Sequence, residues 1–276
     1  MRTDDFTYIT VLEWPGGQSM DDLAEGVATA TGLDRFTARQ RVTGGVPTVI
    51  HRVESGREEA VLHALRARGI GATGVPSRAI REVAEPVQLK RVMPALGAPE
   101  PMFLFEPWRE EARGVRAREV FLLVRAMLRT RIRGEVQVDV YPEPMVGPGG
   151  GIYTRYRTER YRHDRHEQTH VIDVYLLDGT AYRVSGAKFN FESLGEARGL
   201  TDRENVDKLA CFMAESAAGC VVDMGFSEFR CPPVFCRGWR GRAKANEVRS
   251  DEGVFDFYSA WRYVVTRREL ERGKVE

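Results

Sequence analysis

The chain has 276 residues, of which 42% are hydrophobic and 29% charged, the balance of a globular protein with real cores. A formal net charge of +1 points neither to a nucleic-acid binder nor to a membrane-surface protein. The longest uncharged apolar run, Val120–Val124, is far below the ~18 residues of a membrane span. The opening MRTDDFTYITVLEW sets two acids ahead of any apolar run and has no small-residue cleavage site, which speaks against a secretory signal and leaves the cytoplasm as the default location.

At about 100–200 residues per domain the length suits two modules. The pattern divides into a first module over residues 1–80, a proline-rich linker over 81–115, a second module over 116–236, and a tail over 237–276 that holds a basic segment and an aromatic helix. In the first module, Phe6–Glu13 alternates and is rich in β-formers, which predicts a strand broken by Pro15-Gly16-Gly17. Ser19 is placed to cap a helix whose first turn carries Asp21 and Asp22. Leu23, Val27 and Ala30 give that helix its apolar spacing, and Gly32 ends it. A shorter helix over 34–43 is expected to turn Phe36, Ala38 and Val42 inward, with Gly44-Gly45 as its stop. Val46–Val53 is a strand. A helix over 56–68 with Ala60, Val61, Leu62 and Leu65 on its buried side closes at Gly69, and a last strand follows near Ile70–Val75.

The order strand, helix, helix, strand, helix, strand carries a resemblance. From Asp21 to Val75, with Ala30-Thr31-Gly32-Leu33 at the first helix end, Ala38 in the second helix, Pro47 entering the strand, and Leu65 and Gly69 in and after the third helix, the module resembles the C-terminal domain of the bacterial ribosomal stalk protein. The resemblance covers about a fifth of the chain and implies a compact β-α-α-β-α-β sandwich that presents a helical face to a protein partner. That family binds translation factors through basic residues on its first two helices. Two of those positions hold Glu25 and Ala28 here, and only Arg39 keeps its charge.

Pro86, Pro94, Pro99, Pro101 and Pro107 punctuate 81–115 and argue against a long regular element there, with Met102–Phe105 and Trp108 docking the segment onto the second module. Glu119–Leu128 reads equally as a buried helix or a buried strand. Val136–Tyr141 alternates and is a strand. A Gly-rich loop over 142–151 leads to the segment 153–162. Val171–Tyr175 and Tyr182–Val184 flank Asp178-Gly179, a hairpin signal. Thr201-Asp202-Arg203-Glu204 opens a helix with a capping box, whose apolar face runs through Val206, Leu209, Phe212, Met213 and Ala217 and whose apolar side also takes Cys211. Val221-Val222 is a short strand. Val254, Phe257, Tyr258, Trp261, Val264 and Val265 have helical spacing and an aromatic face that docks on the chain's own core.

Two constellations bear on chemistry. His166-Glu167-Gln168-Thr169-His170 fits the HExxH pattern, which on a helix sets two imidazoles on one face with a glutamate to activate a metal-bound water. His163 adds a third imidazole, making His163, His166 and His170 the candidate metal ligands. On a strand, His166 and His170 would share a face at ~13 Å, too far apart for one metal. The second constellation is Arg155, Arg157, Arg160, Arg162 and Arg165 interleaved with Tyr156 and Tyr161, which on a strand could stack bases and pair phosphates or form Arg–acid ladders with neighbouring strands. Of the 41 basic residues 36 are Arg, which suits planar anion contacts and equally a GC-rich coding bias. Cys211, Cys220, Cys231 and Cys236 lack the paired spacing of a zinc ribbon and read as structural thiols.

The expected fold class is α+β: a small β-α-α-β-α-β sandwich, then an antiparallel sheet with a packed C-terminal helix, an order shared with pleckstrin-homology-like barrels. The expected function is a non-enzymatic binding or regulatory protein, with a protein partner met by the helices of the N-terminal module. The alternatives are a nucleic-acid or ribosome-associated factor using the Arg/Tyr strand and a zinc-dependent hydrolase using HEQTH. No cofactor and no membrane enter the leading reading.

Overall fold

The computed structural model describes residues 6–42, 45–95, 99–134, 136–146, 148–162, 164–230, 235 and 247–273. The first module runs β1 (Phe6–Glu13), α1 (Met20–Thr31), α2 (Arg35–Arg41), β2 (Thr48–Glu54), α3 (Glu58–Arg66) and β3 (Gly71–Pro76), the order expected from the sequence. Several boundaries have a visible local cause. The Ser19 hydroxyl accepts from the Asp22 backbone N–H, and the Asp22 carboxylate accepts from the Ser19 N–H, so two otherwise orphaned donors are satisfied. Gly32 ends α1 in the left-handed region at φ 73° while its N–H donates to the Ala28 carbonyl. Asp34 caps α2 by accepting from Thr37 N–H.

The three strands pair antiparallel in the order β2-β1-β3. Because side chains alternate along a strand, β1 serves two cores. Ile9 and Val11 pack with Leu23, Val27, Ala38 and Leu65 under the helices, whereas Tyr8 on the opposite face joins Val49 and Val75 in a second cluster. Phe36 departs from expectation. It is 72% exposed on the outer side of α2, and Ala38 with Val42 fills the inward positions instead.

After the short helix α4 (Ser77–Arg81), the chain builds an eight-stranded sheet from β4 (Val87–Pro94), β5 (Met102–Pro107), β6 (Arg113–Arg116), β7 (Val120–Ile132), β10 (Arg165–Leu176), β11 (Ala181–Ser185), β12 (Val221–Asp223) and β13 (Glu247–Ser250). Residues 81–115 are therefore not a linker. Pro94 and Pro107 end β4 and β5, and Pro86 and Pro101 immediately precede them, so the prolines sit where a missing N–H breaks no interior ladder bond. Phe103 and Phe105 are buried in the sheet's core, as docking residues should be, but Trp108 is exposed.

The ambiguous stretch from Val120 is a strand. The sheet order is β12-β7-β10-β11-β4-β5-β6, with β13 also on β7. The β11–β4 and β12–β7 pairs are parallel, and β12 and β6 stand at opposite ends. The sheet is open among the described residues, which corrects the pleckstrin-homology-like barrel.

Each face of this sheet carries a helix. α5 (Asp202–Ser216) lays Val206, Leu209 and Met213 on Leu123, Ile172 and Val174. Cys211 lies on its exposed side, not its apolar one. α6 (Glu252–Arg272) covers the opposite face, where Phe255, Trp261 and Val265 meet Val124, Val171 and Tyr175. The same helix touches the first module: the Trp261 indole N–H donates to the Thr10 hydroxyl at 3.0 Å, and Arg268 donates to the Gly74 carbonyl. Thus α6 is sandwiched between two sheets, which is why its apolar residues run all round it. The layers are α1–α3, the small sheet, α6, the large sheet and α5.

Candidate functional site

The HEQTH segment lies in β10, where His166 pairs opposite Arg131 and His170 opposite Met127. Four residues of strand separate the two imidazoles by ~13 Å, and Glu167 projects from the other face. The helical geometry that the zinc reading needs is absent, because β10 is extended by its ladder to β7. His163 lies outside the described residues, and no group of three or more metal-ligating side chains occurs among those described. His170 is held below the ordinary histidine value by burial first. Cys231 and Cys236 also fall outside the described residues, as does the basic segment up to Ala245.

Between β7 and β10 the chain runs out and back as a two-stranded ribbon, β8 (Val136–Val146) and β9 (Ile152–Arg162). The register is unbroken from Val136↔Arg162 to Val146↔Ile152. At ~3.4 Å per residue the ribbon is roughly 37 Å long. None of its described side chains is buried, and Cβ atoms built at Gly149, Gly150 and Gly151 near its tip would meet nothing within 4 Å.

Cross-strand partners share a face, so the register sorts the ribbon into two sides. One carries Val138, Val140, Pro142, Pro144 and Val146 from β8, opposite Arg160, Thr158, Tyr156, Thr154 and Ile152 from β9. The other carries Asp139, Tyr141, Glu143 and Met145, opposite Glu159, Arg157 and Arg155. The first side is apolar, and its large side chains range from 49% exposed at Val138 to 78% at Ile152.

This sorting disperses the Arg/Tyr constellation. Arg155 and Arg157 fall on the polar side, Tyr156 and Arg160 on the apolar side, and Arg165 in β10. Acids match the basic groups: Arg157 lies 3.6 Å from Glu143 and 3.0 Å from Glu159, and Arg165 lies 2.9 Å from Glu167. Tyr161 and Arg162 lie on the β9 backbone, with side chains outside the described set. Arg157 and Arg165 are thus acid-paired, Arg155 and Arg160 stand on opposite sides of the ribbon, and Asp139 faces Glu159.

Besides a buried group in which the Tyr258 hydroxyl donates to Asp223 and Arg262 Nε lies 2.7 Å from the same carboxylate, two other places hold polar chemistry. On the large sheet's α6 face, Asp173 is 0% exposed and forms a two-pronged ion pair with Arg183, at 2.6 Å from Nε and 2.8 Å from Nη2. The Ser259 hydroxyl donates to Asp173 at 2.6 Å, and Arg183 Nη1 lies 2.8 Å from Asp256. Burial opposes the Arg183 charge, yet Asp173 and Asp256 outweigh it and push its pKa up. Burial pushes Asp256 above the ordinary carboxylate value against the pull of Arg183. Asp173 is thus met by two Arg183 nitrogens and the Ser259 hydroxyl. The signal for them was in the sequence: a lone acid in VIDVYL and a lone Arg in AYRVS, set opposite one another by the Asp178-Gly179 turn.

The second place is an open groove of about 700 Å³ beside the first module, lined in part by Thr31, His51, Arg52 and Arg57. Burial, then Arg41, Arg52 and Arg57, lower the His51 pKa and keep the imidazole neutral at pH 7.

The helical face of the first module is charge-paired, with Arg39 3.3 Å from Asp21 and Arg35 3.7 Å from Glu25. Phe36 and Met20 stand exposed on the same helix pair. No described helix is long and apolar enough to cross a membrane. The chain matches no family model, no curated protein and no solved structure.

Proposed function

We propose that this chain is a non-enzymatic binding protein that works by contact with other protein surfaces. The observation that supports this reading is the apolar side of the β8–β9 ribbon, which holds Val138, Val140, Val146, Ile152 and Tyr156 in water. Exposed apolar patches beyond a few hundred Å² mark interaction sites, and five such side chains in one stripe amount to roughly 600 Å² of accessible surface. The buried acids Asp173 and Asp223 are each ion-paired with an arginine, Arg183 and Arg262, which gives a catalytic reading no comparable support. Phe36 on α2 favours a second contact through the helices of the N-terminal module. That is the place where the ribosomal stalk resemblance implies a partner, and there Glu25 and the Arg39–Asp21 pair remove the cationic character that translation factors would meet. A cytoplasmic setting belongs to the same reading and is supported by the free thiols of Cys211 and Cys220.

The test is photo-crosslinking in cells with benzoylphenylalanine placed at the position of Tyr156, and separately at that of Arg155 on the opposite side. Protein adducts from the Tyr156 position and few from the Arg155 position are the expected result. RNA adducts, or equal labelling from both sides, would overturn the proposal. The nucleic-acid alternative has its own signature, a steep salt-dependent RNA affinity lost in an Arg155/Arg157/Arg160→Ala variant.

A further inference from the structure

We infer that the occupant of the ribbon's apolar side is the same side of a second copy of this chain, so that the protein is a dimer joined through its β8–β9 arms. The inference rests on the protein-binding reading above and names its partner.

Four observations carry it. First, an isolated two-stranded ribbon is marginal in water, and three or more strands or a second packed layer are needed for independent stability. This ribbon nevertheless keeps an unbroken register over all eleven pairs. Second, the area fits. The five exposed apolar side chains offer roughly 600 Å² per copy, so two copies face to face remove on the order of 1,200 Å² from water, the threshold of stable specific interfaces.

Third, the stripe from Val138 to Val146 and from Ile152 to Thr158 carries no charged side chain. A partner must therefore match shape rather than charge, and an identical stripe of Val, Thr and Pro with one Tyr near its middle is such a match. Among the described side chains of that side the charge is Arg160, opposite Val138 at the base of the arm. Two arms crossing antiparallel about a two-fold axis place their Arg160 side chains at opposite ends, which avoids repulsion.

Fourth, one of the ribbon's two edges, that of β8, disfavours the competing mode of strand addition. Pro142 and Pro144 pair opposite Tyr156 and Thr154, and a proline, which has no N–H, fits a paired strand where its nitrogen faces outward. A further strand added to that edge would lose two donors. Face-to-face packing needs none of them.

The experiment is sedimentation velocity on the full chain from about 1 to about 100 µM, where mass action reveals a self-association equilibrium. The expected species has twice the 31.2 kDa chain mass. In a Val140→Asp/Ile152→Asp variant, buried unpaired carboxylates raise the dimer dissociation constant at least ~100-fold, while circular dichroism still shows a cooperative thermal transition of the folded cores, to which neither residue belongs. A Glu143→Ala/Arg155→Ala variant on the polar side dimerises like the parent.

A parent protein that stays monomeric at the highest concentration overturns the inference. So does a dimer that survives the double Asp variant. Monomers that bind phosphatidylcholine–phosphatidylglycerol vesicles, or that crosslink from the Tyr156 position only to other proteins, also overturn it. In the last case the protein-binding reading stands without the dimer, so the two failures are told apart.

Discussion

Replacing Arg183 with Met tests the buried network under α6 at its most sensitive point. The guanidinium makes two parallel bonds to Asp173, at 2.6 and 2.8 Å, and a third contact of 2.8 Å to Asp256, while the Phe255 ring lies 5.0 Å below it. Without Arg183, the fully buried Asp173 carboxylate keeps the hydrogen bond from the Ser259 hydroxyl. Breaking a buried pair from one side costs about 3–5 kcal/mol, because the orphaned charge stays desolvated. At ~2–4 °C per kcal/mol for a protein of this size, Tm falls by roughly 6–20 °C.

The companion variant Asp173→Leu/Arg183→Met removes both charges. Asp256 is a third exposed and can turn to water, so the double variant recovers to within about 1–2 kcal/mol of the parent. Urea unfolding at pH 7 of the parent, both single variants and the double variant closes a thermodynamic cycle with a coupling of several kcal/mol. A loss below ~1 kcal/mol in Arg183→Met, or a double variant as unstable as the single, would refute the reasoning.

Trp261→Phe removes the bond to Thr10 and leaves a buried hydroxyl unpaired between the two sheets. A loss of about 1.5–3 kcal/mol by urea titration is expected, and a neutral result would mean that α6 does not tie the layers together. Burial is the largest single influence on the Asp178 carboxyl and raises it, but Arg113 and the backbone and hydroxyl of Thr180 together pull it down to about 2. A depressed folded-state value stabilises above the free aspartate pKa, and the benefit fades as pH falls from about 4 toward 2. An Asp178→Asn variant should therefore show a shallower loss of stability over that interval, and an unchanged acid slope would contradict it. Burial pushes the Cys220 thiol up to about 11, whereas Cys211 is exposed. Iodoacetamide at pH 8 followed by peptide mass spectrometry should label Cys211 well before Cys220, and the reverse order would place Cys220 in a more open environment.

The first module was legible because its helices announce their ends locally. Ser19 with Asp22, Asp34, and Gly32 with its positive φ act within a few residues of themselves, and caps of that kind survive any tertiary context. The Asp178-Gly179 hairpin and the Thr201 cap were legible for the same reason. Residues 81–115 were not, because proline reads as a breaker in sequence whether it stands inside a strand or at its end. Pro94 and Pro107 terminate strands that exist only because neighbours in the large sheet supply their ladders.

Glu119–Leu128 could not be resolved either, since a strand buried on both faces loses the alternation that identifies it. The apolar stripe of the arm was half visible in Val136–Tyr141. What the sequence cannot express is that no core lies over Val138 and Val140, which depends on where every other element goes. Phe36 fails in the mirror sense: its spacing is that of a buried residue, and the space it would fill is taken by Ala38 and Val42.

The position of α6 between the sheets has a consequence for synthesis. The face of β1 and β3 that carries Tyr8 and Val75 is covered by a helix encoded some two-thirds of the chain later. At ~5–20 residues per second the ribosome needs about ten to forty seconds to deliver that cover. During that interval the emerging N-terminal strands display an oily surface with its lawful neighbour still untranslated. Chaperone attention to the nascent chain is therefore expected to concentrate on these strands and to end when the last helix leaves the exit tunnel.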